Sequence, residues 1–144
     1  MAKERIFPDH ISLEAVNDMG KGCMVETLGI QFTEIGPNYL KATMPVDQRT
    51  KQPMGLLHGG ASVALAETMG SVGAALCIDL KKQHPVGLEI NANHLKAARE
   101  GIVTGVAEPV HLGKGTHVWS IRITNEEEQL VAISRITMAI LNRK

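Results

Sequence analysis

The spacing of hydrophobic and polar positions changes three times along the chain, and each change marks a different kind of element. In residues 12–19, Leu13, Val16 and Met19 recur every three residues, Ser12 precedes them, and Gly20 and Gly22 follow. That spacing predicts a short helix with its apolar residues on one face, capped by Ser12 and stopped by the glycines. From residue 30 the period falls to two. Residues 30–35 and 39–46 read as strands joined by the turn Gly36-Pro37-Asn38. Leu40, Ala42, Met44 and Val46 point to one face of the second strand, and Tyr39, Lys41 and Thr43 to the other.

Residues 47–57 are irregular, broken by Pro53 and Gly55. From 59 to about 80 the pattern is helical and built from small residues, among them Ala61, Ala64, Ala66, Gly70, Gly73 and Ala74. Each interior glycine weakens a helix by about 1 kcal/mol relative to alanine. A helix that carries several needs close backbone approach, as when a curved sheet wraps it. After His84-Pro85 the period returns to two over residues 86–94, 101–110, 116–124 and 129–141. His117, Trp119, Ile121 and Ile123 alternate with Val118, Ser120, Arg122 and Thr124. The short turns at 113–115 and 125–128 imply antiparallel pairing, because parallel strands need a long crossover. Two strands, one long helix and four strands make an α+β domain spanning residues 1–144.

Composition narrows the class. The chain has 144 residues, enough for one domain with its own core. Fifteen basic side chains balance fifteen acidic ones, so nothing draws the protein to nucleic acid or to an acidic membrane surface. Cys23 and Cys77 form no CxxC and no disulfide framework. The charged start broken by Pro8 is not a secretory signal. The apolar stretch 56–80 carries His58 and Glu67, too polar for a membrane span, so the expected location is cytoplasmic.

The chemistry concentrates in one run, Gln52-Pro-Met-Gly-Leu-Leu-His58-Gly59-Gly60 through Glu67 to Ser71. Glu67 stands amid small apolar residues, where burial raises a carboxyl's pKa and suits it to act as a base or nucleophile near neutral pH. Gly60, Ala64, Glu67 and Ser71 are spaced four, three and four apart, so they share a helical face. His58-Gly59-Gly60 opens the helix, where unpaired backbone N–H groups and the helix dipole can stabilise an oxyanion. Gln52 adds an amide donor. From spacing alone, a structural buried glutamate and an ordinary His-Gly-Gly turn remain open beside catalysis.

The run from His58 to Glu67, preceded by Met44-Pro-Val-Asp-Gln-Arg-Thr-Lys-Gln-Pro and followed by Val86-Gly-Leu-Glu-Ile-Asn-Ala-Asn-His94, resembles the hotdog-fold acyl-CoA thioesterases. Within them it is most similar to the bacterial 1,4-dihydroxy-2-naphthoyl-CoA thioesterase group and its relatives acting on aryl carrier proteins. The similarity runs from about residue 19 to 141. It implies an antiparallel sheet wrapped around the long helix, pairing of two chains through their sheets, a dimer of dimers, and active sites at the dimer interface. It further implies that Glu67 is general base or nucleophile and that Gln52 and the Gly59 N–H polarise the thioester carbonyl. His58 would assist the leaving thiolate, and Ser71 would orient the water or the carboxylate. Gly87, His94, Leu95, Lys96, Ala97, His111, Leu112, Gly113, Lys114, Gly115 and Thr116 match segments that hold the acyl-CoA substrate, with no cofactor. Lys96, Arg99 and Lys114 have the charge to meet its phosphates. Methionine stands at 54 where relatives often carry phenylalanine, which softens the acyl preference.

The expected reaction is hydrolysis of an acyl-CoA to a carboxylic acid and CoA, with 1,4-dihydroxy-2-naphthoyl-CoA of menaquinone formation as the physiological substrate. Two alternatives stand beside it: proofreading of acyl or aryl carrier proteins, and acyl-CoA sensing without cleavage. The six histidines form no HxH or HExxH, so no metal site is expected. His10, His84 and His117 read as surface or strand residues, and Cys77 as a small hydrophobe. Asn91 and Asn93 alternate on one strand, facing either the acyl pocket or solvent.

Overall fold

In a computed structural model, which describes residues 4–144, one long helix lies against one curved antiparallel sheet. The first three residues of the charged start lie outside the described residues. The helices are α1 (Leu13–Asp18), α2 (Met24–Thr27) and α3 (Gly59–Leu76). The strands are β1 (Gln31–Ile35), β2 (Leu40–Pro45), β3 (Gln83–His94), β4 (Ile102–Leu112), β5 (Thr116–Thr124) and β6 (Leu130–Asn142). Among the described residues the spatial order is β1-β2-β4-β5-β6-β3, with every neighbouring pair antiparallel. This is the hotdog arrangement.

The two-residue period does what it predicts. Leu40, Ala42, Met44 and Val46 of the β2 region are buried, as are His117, Trp119, Ile121 and Ile123 of β5. These faces close over α3, whose Leu65, Ala66, Met69 and Ala74 are fully buried. The helical glycines have the expected steric cause. A Cβ at Gly70 would stand 2.3 Å from Cγ2 of Ile136, and one at Gly73 2.9 Å from the Trp119 ring. The sheet wraps the helix too closely for side chains there. Phe7 stacks on Trp119, with ring centroids 6.2 Å apart.

The two sheet edges differ. At β1, the Asn17 side chain of α1 accepts from the Phe32 N–H at 2.8 Å and donates to the Phe32 carbonyl at 3.0 Å. One amide thus occupies the edge as a neighbouring strand would. At the other edge β3 runs twelve residues and exposes Val86 and Leu88. Pro85 sits within it, a position proline takes on edge strands. A long edge strand with exposed apolar side chains offers its unpaired backbone groups to another strand.

Several expectations needed correction. The first helix forms with Ser12 capping the Ala15 N–H, but Met19 follows it and is 52% exposed, so it does not share the face of Val16. The chain then makes a second short helix, α2, that the pattern did not announce. The long helix ends at Leu76, not near 80: the Cys77 N–H donates to the Ala74 carbonyl as the last turn tightens, and the Asp79 carbonyl accepts from the Lys82 and Gln83 N–H groups in the turn that follows. Strand β3 begins at Gln83, before Pro85.

Candidate active site

The loop 47–57 is held by one buried hydroxyl. Thr50 Oγ1 donates to the Pro45 carbonyl at 2.7 Å and accepts from the Asp47 N–H, while the Thr50 carbonyl accepts from His58 N–H at 2.8 Å. Asp47 also grips Arg49, whose guanidinium holds the carboxyl below the usual aspartate range. These contacts set the tight turn of residues 52–56, in which Gly55 has φ +80°. Within that turn Gln52 Oε1 accepts from the Met54 N–H. With its oxygen so engaged, the amide keeps its NH2 group as a donor.

At the start of α3, His58 is the N-cap. Its Nδ1 accepts from Gly60 N–H at 2.8 Å, and its carbonyl accepts from Ala61 and Ser62 N–H. A neutral ring that accepts at Nδ1 carries its proton on Nε2. Of the N–H groups that open the helix, those of His58, Gly60, Ala61 and Ser62 are used. That of Gly59 is left without a partner among the described residues. His94 lies over Gly59, its Nε2 2.9 Å from where a Cβ would stand. A cavity of about 370 Å³ here is lined by Gln52, Gly59, Ser62, His94, Leu95, Lys96, Ala97 and Val131, among others.

Glu67 faces a different cavity. Met24, Val25, Leu28, Ile30, Gly60, Val63, Ala64, Glu67 and Thr68 enclose about 310 Å³ between α2 and α3, with Glu67 the sole charged side chain on its wall. The expected burial of Glu67 does not hold within one chain: the side chain is half-buried on the wall of this cavity. Its carboxylate leans onto β3, where Oε1 would stand 2.7 Å from a Cβ at Gly87. Gly60, Ala64 and Glu67 share the cavity wall as their spacing predicts, and Ser71, one turn on, is half-buried.

The carboxylate and the free amide are therefore apart. Gly59 and Glu67 are separated by about 12 Å along the helix axis. The seven residue steps from Gly87 to His94 span about 23 Å of β3. One chain does not bring Glu67 and the Gly59 N–H to the same carbonyl.

The remaining predicted residues divide likewise. Residues 94–97 border the cavity at the start of α3. Leu112, Gly113 and Lys114 border a cavity of about 690 Å³ at its far end, with Cys77, Gln83 and His117. His111 Nε2 lies close to Gly113, the hairpin closes by the Gly113 N–H donating to the Thr116 carbonyl, and the Ile140 N–H of β6 donates to the Gly115 carbonyl. His117, read as a surface or strand residue, is in the strand but buried; burial first, then neighbouring His111, lowers its pKa. Burial pushes the Cys77 thiol up to about 11. Asn91 and Asn93 are exposed on the outer face of the sheet, with Ser120 and Arg135. Missing from the sequence reading were Thr50, which holds the loop, and the α2 residues that wall the Glu67 cavity. The apolar run Met24, Val25, Leu28 and Ile30 was their one signal.

No described helix is long and apolar enough to cross a membrane. The sequence pattern of the thioesterase superfamily matches residues 54–132. The chain is 57% identical to 1,4-dihydroxy-2-naphthoyl-CoA hydrolase of Escherichia coli over 94% of its length and 99% of that protein's. It is 49% identical to the proofreading thioesterase EntH of Cronobacter sakazakii, over 94% of this chain and 98% of that one. A mutant of thioesterase PA1618 from Pseudomonas aeruginosa, 46% identical, superposes with a TM-score of 0.94 over 96% of this chain and 99% of the other. The chain belongs to the thioesterase superfamily and is a thioester hydrolase.

Proposed function

We propose that the protein hydrolyses 1,4-dihydroxy-2-naphthoyl-CoA, releasing the free acid and CoA for menaquinone formation, with Glu67 as the acting carboxylate. The observation that carries this is the pairing of a lone carboxylate with an apolar cavity. Met24, Val25, Leu28, Ile30 and Val63 offer an acyl group a dry wall that ends at Glu67. A fused aromatic ring gains from such a wall in proportion to the apolar area it buries. The relative at 57% identity carries that activity in its name, which supports the choice of acyl group.

The site is completed by a second copy. Glu67 and Ser71 of one chain act with Gln52, His58 and Gly59 of its partner, brought together by pairing of the two β3 edges; two such dimers associate. The separation of Glu67 from Gly59 within a chain and the uncovered β3 edge support this. In the assembled site the Gly59 N–H and the Gln52 NH2 meet the thioester oxygen and take up its growing negative charge. Glu67 then accepts a proton from the attacking water, or attacks the carbonyl carbon itself and is released by water from the anhydride. Either route breaks the C–S bond. The His58 Nε2 proton, held on that nitrogen by the Gly60 contact, is placed for the departing sulfur. Residues 94–97 of one chain and 111–116 carry the CoA, with Lys96 and Lys114 at its phosphates.

The relative named as a proofreading thioesterase favours a second reading, release of acyl groups from a carrier protein. One comparison tests both: kcat/KM for 1,4-dihydroxy-2-naphthoyl-CoA, benzoyl-CoA, octanoyl-CoA and an aryl-loaded carrier protein. The proposal expects the naphthoyl ester to lead by at least about tenfold. A lead by the carrier protein replaces it with the second reading.

A further inference from the structure

Strand β3 has glycine at position 87, where its backbone does not require one. Gly22, Gly29, Gly55 and Gly101 have positive φ, and Gly87 does not, so any residue adopts its conformation. The requirement is one of space. A Cβ at Gly87 would stand 2.7 Å from Oε1 of Glu67 and 3.7 Å from its Cδ, with no other non-neighbouring atom within 4 Å. The sole occupant of the space a side chain would take is the carboxylate of Glu67. The register of β3 against β6 also shifts between Gly87 and Glu89, so the strand bulges at this point. Bulges recur beside active sites, where they re-aim the groups around them.

We propose that Gly87 is a positioning residue for thioester hydrolysis: its bare backbone is the seat that fixes the Glu67 carboxylate against the sheet edge. The proposal rests on the reading of Glu67 as the acting carboxylate. It gives Gly87 a different task from contact with CoA. An alanine methyl would force Oε1 from 2.7 Å to at least the 3.4 Å at which ordinary contact begins, a shift of 0.7 Å or more. Displacements near 1 Å in a reacting group lower turnover by about a hundredfold. The group that must move is the end of a flexible side chain, so the fold survives the substitution.

The test is steady-state thiol release from the best CoA ester by the wild type, Gly87→Ala, Glu67→Asp and the double variant, with melting curves for each. Gly87→Ala is expected to lower kcat about a hundredfold with KM nearly unchanged. In the Glu67→Asp background the shorter arm has already left the seat, so the same alanine should cost less than about threefold. With an active wild type, three results would overturn the proposal. One is a kcat within about tenfold of wild type in Gly87→Ala, and another is an equal loss in both backgrounds. The third is a melting temperature lowered by Gly87→Ala and not recovered with Glu67→Asp. A rise in KM alone would return Gly87 to the CoA contact. An inactive wild type would instead remove the catalytic reading of Glu67, and the proposal with it; an active wild type indifferent to Gly87→Ala removes the proposal alone.

Discussion

Mixing two inactive variants tests how the site is divided between chains. Glu67→Gln removes the proposed acting carboxylate and Gln52→Ala removes a proposed donor to the thioester oxygen. Each homodimer then has two damaged sites and should be nearly silent. The magnitude for the mixture follows from the geometry. Glu67 leans onto Gly87 while Gly59 lies under His94, about 23 Å away along β3, so in the proposed dimer each site would draw its carboxylate from one chain and its amides from the other. In a heterodimer, one site inherits both lesions and the other inherits neither. Equal amounts, unfolded together and refolded, give half heterodimers, each with one intact site of two. The mixture should regain about a quarter of the wild-type rate. The assay is thiol release at saturating ester, with the two variants refolded separately as controls. If both groups belonged to one chain, every site in a heterodimer would carry one lesion. A mixture no more active than its parents would refute the divided site.

Three further outcomes are expected. Gly70→Ala gains about 1 kcal/mol of helix propensity but forces a methyl to 2.3 Å from Ile136; overpacking of that kind costs about 1–3 kcal/mol. The net is a loss of up to about 2 kcal/mol in urea unfolding at fixed protein concentration, and the sign should reverse in an Ile136→Ala background, where the space exists. Thiol labelling at pH 8 should modify Cys23, which is exposed, and spare Cys77, whose thiol burial raises to about 11; rapid uptake of two labels per folded chain would contradict that burial. Stability should also depend on pH through His117. Its folded pKa is lowered by burial and by His111 from an ordinary value of 6.5, so the unfolded chain binds the proton first. The contribution is present above about pH 6.5 and is lost as the pH falls toward the lower folded value. His117→Gln should flatten the urea midpoint across that window, and an unchanged slope would count against it.

Much of the fold could be read in the sequence because the strands bury one face. Leu40, Ala42 and Met44 announce β2, and the four alternating residues from His117 announce β5, because a one-residue slip would expose all of them. The glycines of α3 were informative for the same reason, since only a close neighbour such as Ile136 or Trp119 accounts for them. What could not be read lacked a period. Helix α2 has four residues and no side-chain cap, too few for a repeat. Met19 has the spacing of a core position but falls beyond the last turn of α1. The clamp of Asn17 on Phe32 joins residues fifteen apart that no local pattern links. For the proposed site, the run from Gln52 to Ser71 names the candidate residues but hides their geometry. Residues adjacent in the motif lie on two separate cavities, because the helix carries Glu67 two turns beyond Gly59 and toward the opposite end of β3.

The measurement closest to the central claim is thiol release from a panel of aryl- and alkyl-CoA esters by the wild type and by Glu67→Gln, at equal folded concentration. The account predicts turnover by the wild type, led by the naphthoyl ester, and a loss of about a hundredfold or more in Glu67→Gln with KM little changed. A Glu67→Gln variant that keeps its kcat would contradict it.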